Sequence, residues 1–170
     1  MAVRTRVRGA WSAVPRSRRR EDDYLEAIKA VWTQSRPVYK GKFISFSDLQ
    51  SNPRPLQQPY PPIIVGGNSP GTFRRAVKTG NGWFGYGLKP DDAGRAIAGL
   101  REAAKKYQRP AELGELEITI TPPIPVEKSV AEQYSKLGVH RLNLTLPPNS
   151  DVSEAERFIQ DAGNSLVGHV

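Results

Sequence analysis

The chain has 170 residues, of which 38% are hydrophobic, 25 are Lys or Arg and none is Cys. This length predicts one domain with enough apolar material for a core. The lack of cysteine excludes a disulfide scaffold, a thiolate metal site and a cysteine nucleophile. The only two histidines, His140 and His169, argue against a histidine-based metal site or catalytic triad. No apolar run approaches the ~18 residues that a transmembrane helix needs, so we expect a cytoplasmic protein without a membrane contact.

The net charge of +8 is concentrated at the N-terminus. Residues 1–20 contain seven arginines and no acidic residue, which leaves a net charge of +1 for the rest of the chain. We interpret residues 1–17 as an Arg-rich, disordered tail and residues 18–170 as the folded domain. A nucleic-acid footprint spreads over a folded face or a helix, so this distribution argues against a nucleic-acid partner. The alternative is a non-catalytic α/β binding module whose Arg-rich arm contacts nucleic acid or another anionic partner.

The first elements in chain order are one helix and one hairpin. Residues 21–33 open with three acids, which favour a helix N-terminus, and continue with apolar residues at helical spacing. A short hairpin is expected around residues 43–46. The proline-rich segment 53–62 is expected to be an extended lead-in without regular structure.

Strands and helices alternate from residue 63 onward. Ile63–Val65 reads as a short strand of the kind that is buried on both faces in a parallel sheet. Ser69 as the N-cap and Pro70 at the first helical position predict a helix. Gly80 stands where a left-handed glycine ends such a helix.

The same alternation continues to the end of the sequence. Strands are predicted at residues 83–86, 116–120 and 142–146, and helices at 90–107, at 126–137 before Gly138, and from Asp151 onward. Four consecutive βα units after one helix predict an α/β fold with a parallel sheet. Short units of this length suit a (β/α)8 barrel, of which the chain has four of the eight units.

Several segments together resemble a known family. In chain order they are DDYLEAIKAVWT, GKFISF, PRPLQQPYPPIIVGGNSPGTFRRAVKTGNGWFGYGL and LGVHRLNL. They resemble the luciferase-like monooxygenases, in particular the actinobacterial flavin- or deazaflavin-dependent oxidoreductases. The resemblance covers about residues 17–162 and implies the C-terminal half of a (β/α)8 TIM barrel.

The resemblance implies a function and a cofactor site. It implies an oxidoreductase that uses reduced coenzyme F420, which we prefer, or FMN to reduce or oxygenate a small organic substrate, without a metal. By motif, Gly66, Gly67 and Ser69 contact the cofactor. The residues support this independently, because glycines allow a ligand to approach the backbone and a capped helix N-terminus favours a phosphate. The structural alternative is a plain tight βα turn with an N-cap.

Other polar or aromatic residues have structural interpretations that we favour. Residues 74–75 are two arginines that could reach an anionic cofactor tail, but a solvated helix face is the preferred interpretation. Trp83 is expected in the core rather than at a pocket mouth, and His140 in a surface or packing role. The acids at 91–92 and Asp151 are expected at helix starts. No catalytic residue is identified, because the family's proton-transfer candidates lie mostly on the first four strands.

Half a barrel also leaves open strand edges. The strands at 63–65 and 142–146 would lack closing partners, and exposed apolar edges pair with other chains. We therefore expect a homo-oligomer or a complementing N-terminal half, and weak or no activity of the chain alone.

Overall fold

The computed structural model describes residues 18–123 and 126–168, which form two compact units that divide between Pro61 and Pro62. The predicted tail, residues 1–17, and His169 lie outside the described residues. The predictions for them, and the predicted domain limits, therefore stay predictions.

The first unit contains a helix and a hairpin. Helix α1 spans Arg18–Thr33, and strands β1 (Tyr39–Lys40) and β2 (Ser45–Phe46) pair antiparallel. Both predicted elements are confirmed, with the helix beginning three residues earlier than predicted. Residues 53–62 contain no helix or strand, also as predicted.

Asp23 connects the helix of this unit to its hairpin. The carboxylate accepts hydrogen bonds from the Tyr39 hydroxyl at 2.8 Å and from the backbone N–H groups of Lys42, Phe43 and Ile44 at 2.8–3.2 Å. Burial alone would raise the pKa of Asp23, but these donors together hold it below its ordinary value. Burial and the bond to this carboxylate raise the pKa of Tyr39 to about 12. Asp23 thus has two roles: its charge lies in an early turn of α1, where acids are favoured, and its carboxylate holds the hairpin to this helix.

The second unit alternates strands and helices. Its elements are β3 (Ile64–Gly66), α2 (Pro70–Thr79), β4 (Gly82–Tyr86), α3 (Pro90–Tyr107), β5 (Glu117–Thr121), α4 (Lys128–Leu137), β6 (Arg141–Leu142) and α5 (Val152–Leu166). The four strands are parallel and lie in the order β3-β4-β5-β6. This arrangement confirms the predicted α/β fold with four βα units and places β3 and β6 at the edges of the sheet.

The core of the second unit lies between helices α2, α3 and α4 and one face of the sheet. Phe73 of α2 meets Trp83 of β4 edge-on, with ring centroids 6.1 Å apart, and Trp83 is fully buried. Val65 is also buried, but Ile64 is 46% exposed. Alternate residues of a strand point to opposite faces, so Ile64 lies on the face away from α2. The prediction that the first strand is buried on both faces is therefore wrong.

The two helix-ending glycines behave differently. Gly138 ends α4, as predicted, and does so in the left-handed conformation, with φ 88°. Gly80 is extended, with φ −91° and ψ 146°, so the predicted left-handed cap is wrong. A Cβ at Gly80 would lie 3.0 Å from the Ala76 carbonyl oxygen and 3.1 Å from Val65 Cγ2. Gly80 is required for close packing rather than for a positive φ.

Strand β6 is shorter than predicted, because it pairs only over Arg141–Leu142. Beyond it, Asn143 N donates to the Ile120 carbonyl at 2.8 Å. The adjacent strand then continues into prolines 122–123, which have no N–H group to donate to a ladder. The predicted strand therefore loses its partner after residue 143.

Arg109 braces the C-terminal end of α2. Its Nη1 donates to the carbonyl oxygens of Ala76, Val77 and Gly80 at 2.9–3.3 Å, and its Nε donates to Gly114 at 2.7 Å. Burial lowers the pKa of this guanidinium. The last carbonyls of a helix lack partners within the helix, and a cation there also complements the helix dipole.

Candidate functional site

The three predicted cofactor contacts lie in one turn at the C-terminal edge of the sheet. Gly66 ends β3, Gly67 follows it, and Ser69 precedes α2. Both glycines are exposed. Gly67 has φ +113°, a conformation that favours glycine, and a Cβ there would lie 3.3 Å from Thr72 Oγ1. The turn thus leaves its backbone accessible to a ligand.

Two hydroxyl groups meet at the start of α2. Ser69 Oγ accepts a hydrogen bond from Thr72 N at 3.2 Å and lies 2.9 Å from Thr72 Oγ1. Pro70 occupies the first helical position, so the predicted N-cap is confirmed. The N-terminus of this ten-residue helix carries a positive partial charge, which favours anions. Sequence reasoning missed Thr72, although its position three residues after the cap was visible.

Trp83 fixes this turn to the sheet. Its buried indole Nε1 donates to the Gly67 carbonyl oxygen at 2.8 Å, and Gly67 N donates to the Phe84 carbonyl at 3.4 Å. The core interpretation of Trp83 is confirmed. The indole therefore holds the turn in place from below and does not line the mouth of a pocket.

The sheet face away from α2 carries an aromatic surface beside the turn. Gly66 pairs in register with Phe84, and a Cβ at Gly66 would lie 3.9 Å from Phe84 Cδ1. Strand alternation places Tyr86 on the same face, where it is 74% exposed. Thr121 of β5 pairs in register with Tyr86. The sequence analysis did not predict Phe84, Tyr86 and Thr121 as site residues. The alternation along each strand could have indicated which face they share, and Pro122 could have indicated that the strand ends at Thr121.

The remaining predicted candidates have structural roles. Of the arginines at 74–75, Arg75 is buried, because α2 packs against both α3 and β3, so the solvated-face prediction is wrong for it. His140 is exposed, and its Nδ1 accepts from Ile118 N at 3.1 Å, which supports the surface or packing role. The acids at 91–92 lie in the first turn of α3, and Asp151 caps α5, as predicted.

A second concave region is an apolar cleft of about 640 Å³ beside β6. Tyr134, Leu142, Phe158 and Leu166 are among its lining residues. The Tyr134 hydroxyl donates to the Leu88 carbonyl at 2.6 Å, and burial together with the charge of Asp92 raises the pKa of Tyr134. The cleft contains none of the predicted cofactor contacts.

Within residues 18–123 and 126–168, no three His, Asp or Glu side chains come together as metal ligands would. None of the helices in those ranges has the length and apolar character to cross a bilayer.

Comparison with known proteins identifies the family. The sequence profile described as luciferase-like monooxygenase matches residues 2–166. The chain belongs to the luciferase-like monooxygenase family. The family match begins at residue 2, so most of the tail, residues 1–17, lies within the matched range.

Two curated relatives illustrate this family. The FMNH2-dependent dimethylsulfone monooxygenase of Pseudomonas putida is 28% identical over 96 residues, which are 56% of this chain and 26% of that protein. The oxygenase component of the flavin-dependent trigonelline monooxygenase of Acinetobacter baylyi is 39% identical over 71 residues, 42% of this chain and 18% of that protein. The chain thus spans about a quarter or less of the length of these relatives.

A solved structure has the same fold as this chain. The coenzyme F420-dependent tetrahydromethanopterin reductase of Methanopyrus kandleri superimposes with a TM-score of 0.71 at 14% identity, over 89% of this chain and 63% of that one. This likeness confirms the predicted fold class, four βα units of a luciferase-like barrel.

Proposed function

We propose that the chain binds a phosphate-bearing flavin or deazaflavin, coenzyme F420 in preference or FMN, at the turn between β3 and α2. It would thereby contribute to an oxidoreductase that reduces or oxygenates a small organic substrate. The observation that carries the proposal is the accessible Gly66–Gly67 backbone directly before the N-terminus of α2, where Ser69 and Thr72 present hydroxyl groups.

The phosphate end of such a cofactor fits this turn. An anion at a helix N-terminus is stabilised by the helix dipole and by N–H groups that lack partners within the helix. The hydroxyls of Ser69 and Thr72 are bonded to each other, which leaves one hydroxyl hydrogen to donate to the anion, and Gly67 has no side chain to block the approach. The indole of Trp83 keeps the Gly67 carbonyl turned toward the sheet, which holds the loop in place.

The ring end fits the neighbouring sheet face. Gly66 leaves an open strip beside the ring of Phe84, and Tyr86 extends the aromatic surface along the same strand. A planar ring packs favourably against such side chains. When bound, the cofactor supplies the reducing equivalents for the reaction. The residues of this chain bind and orient it.

Titration of the full chain with FMN, riboflavin and coenzyme F420 tests the proposal, with the change in cofactor fluorescence as the readout. We expect FMN to bind more tightly than riboflavin, because only FMN has the phosphate. Gly66→Val should weaken binding at least tenfold, because the branched side chain would stand where the ring lies. Gly66 has no positive φ, and its Cβ would meet only ordinary contacts, so this variant should fold.

Gly163→Ala is the matched control, because a Cβ at this helical glycine meets nothing within 4 Å and the residue lies outside the proposed site. It should bind FMN and coenzyme F420 as the unmodified chain does. Equal binding of FMN and riboflavin would argue against the phosphate site. Unchanged binding by Gly66→Val would place the ring elsewhere.

The sheet edges also support a proposal about partners. Strands β3 and β6 each pair on one side only within the described sheet, and α5 buries none of its residues. We propose that a second copy of the chain or a complementing N-terminal half pairs with these edges, and that turnover by the chain alone is weak. Catalytic groups in such barrels come from the ends of several strands, so four strands supply only part of a site.

A further inference from the structure

Thr121 carries a buried hydroxyl that has no hydrogen-bond partner among the described residues. The residue is 3% exposed and ends β5. Its backbone carbonyl is used, because it accepts from Gly87 N at 2.8 Å. A buried hydroxyl that makes no hydrogen bond destabilises a folded protein. Its burial here therefore calls for a partner beyond the residues that the structure describes.

The position of Thr121 indicates where that partner would lie. Ile118 and Ile120 are buried toward the helices, so alternation places Thr121 on the opposite face, together with Thr119. The register pairs Thr121 with Tyr86, and Tyr86 lies on the same face two residues beyond Phe84. The hydroxyl thus lies at the C-terminal edge of the aromatic surface beside Gly66.

We infer that the Thr121 hydroxyl donates a hydrogen bond to a carbonyl oxygen on the pyrimidinedione edge of the bound ring, a feature that FMN and coenzyme F420 share. This inference rests on the proposed function. Because the Thr121 hydroxyl is buried, this bond requires a side-chain movement, and Tyr86, its partner in the strand register, is 74% exposed and little held by packing. Thr121 is then a positioning residue that sets the orientation of the ring on the sheet.

Thr121→Val preserves the shape of the side chain and removes its hydroxyl. If Thr121 has this role, the variant should not lose stability but should lose affinity for the cofactor. Without ligand, the urea midpoint of the variant should equal or exceed that of the unmodified chain, because an unpaired polar group has been removed. With FMN or coenzyme F420, the affinity measured by fluorescence should fall about tenfold. Thr121→Ser, which keeps the hydroxyl, should retain most of the affinity. A purely structural hydroxyl would lower the urea midpoint instead.

Thr79→Val is the matched control. Thr79 lies in the last turn of α2, outside the proposed ring site, and its hydroxyl already has a partner, the Arg75 carbonyl oxygen at 2.9 Å. It should leave the affinity for both cofactors unchanged. If the unmodified chain binds a cofactor and Thr121→Val binds it equally well, the inference is overturned while the proposed function stands. If the chain binds neither FMN nor coenzyme F420, both fail. A lower urea midpoint of Thr121→Val without ligand would also overturn the inference.

Discussion

The two ends of the four-stranded sheet differ in how well they are packed. Helix α2, beside β3 and β4, buries Ala76 and Val77 completely. Helix α5, which follows β6, is similarly amphipathic but buries none of its residues, and Ile159 on its apolar side is 65% exposed. An apolar stripe therefore predicts that a helix forms, whereas its burial depends on a neighbouring surface. At the β6 end, a two-residue strand does not provide that surface.

The largest effect should come from Trp83→Ala at the well-packed end. The substitution removes a fully buried ring and the donor to the Gly67 carbonyl. We expect the free energy of unfolding to fall by about 3–5 kcal/mol, as for other buried aromatic residues. Urea denaturation measures it. Phe158→Ala, in the cleft beside β6, is the comparison: its half-buried ring should cost roughly half as much. Equal losses would show that both ends are packed alike.

A smaller loss is expected for Arg109→Lys, which also acts at the well-packed end. An ammonium group cannot reproduce the planar fork that reaches the carbonyls of Ala76, Val77, Gly80 and Gly114. The loss of charged hydrogen bonds predicts a decrease of about 1.5–3 kcal/mol in the free energy of unfolding. Arg101→Lys is the control.

Arg101 is exposed and donates a single hydrogen bond, to the Leu137 carbonyl at 3.3 Å. Its substitution should change stability by less than about 0.5 kcal/mol. Similar losses for both variants would mean that the guanidinium of Arg109 does not brace α2.

Tyr134→Phe tests the region between the two ends of the sheet, because Tyr134 lines the cleft beside β6 and contacts the segment after β4. The variant loses the bond from the hydroxyl to the Leu88 carbonyl, and we expect a decrease of about 1 kcal/mol in the free energy of unfolding at pH 7. Burial raises the pKa of Tyr134 in the folded state, so the neutral form is favoured there. Its stabilising contribution is complete below the unfolded pKa of about 10 and is lost as the pH rises further.

The stability gap between the unmodified chain and Tyr134→Phe should therefore shrink above that pH. Urea denaturation at neutral and strongly alkaline pH measures it. A constant gap across both conditions would contradict the proposed linkage.

The sequence predicted the features that depend on local pattern. Strand and helix order followed from periodicity, and Ser69 and Asp151 were recognisable as caps because capping requires only neighbouring residues. Gly80 was misassigned because one of its close contacts, Val65, lies in the preceding strand, outside its own turn. Ile64 was misassigned because its exposure depends on what covers the second face of the sheet.

The residues of the candidate site also differ in whether a local sequence pattern or only the folded structure brings them together. Gly66, Gly67 and Ser69 lie within four consecutive residues, so a sequence motif was enough to predict them as cofactor contacts. Thr121 joins them only through two strand pairings, which the sequence does not specify. The same holds for Arg109, whose carbonyl partners at the end of α2 and at its cap lie about thirty residues earlier in the chain.

The smallest effect on stability, and the most direct test of the poorly packed end, is expected for Ile159→Glu. The side chain is mostly exposed, so the variant should alter the free energy of unfolding by less than about 0.5 kcal/mol. Association should nevertheless change, because a charge in the apolar cleft opposes docking of another chain. In sedimentation velocity, we expect the unmodified chain to associate with increasing concentration and Ile159→Glu to do so less. Gln160→Glu adds the same charge at an exposed neighbour outside the cleft lining and should associate like the unmodified chain. A monomeric unmodified chain at all concentrations would exclude self-association, whereas equal association of all three proteins would assign the contact to the strand edges rather than to α5.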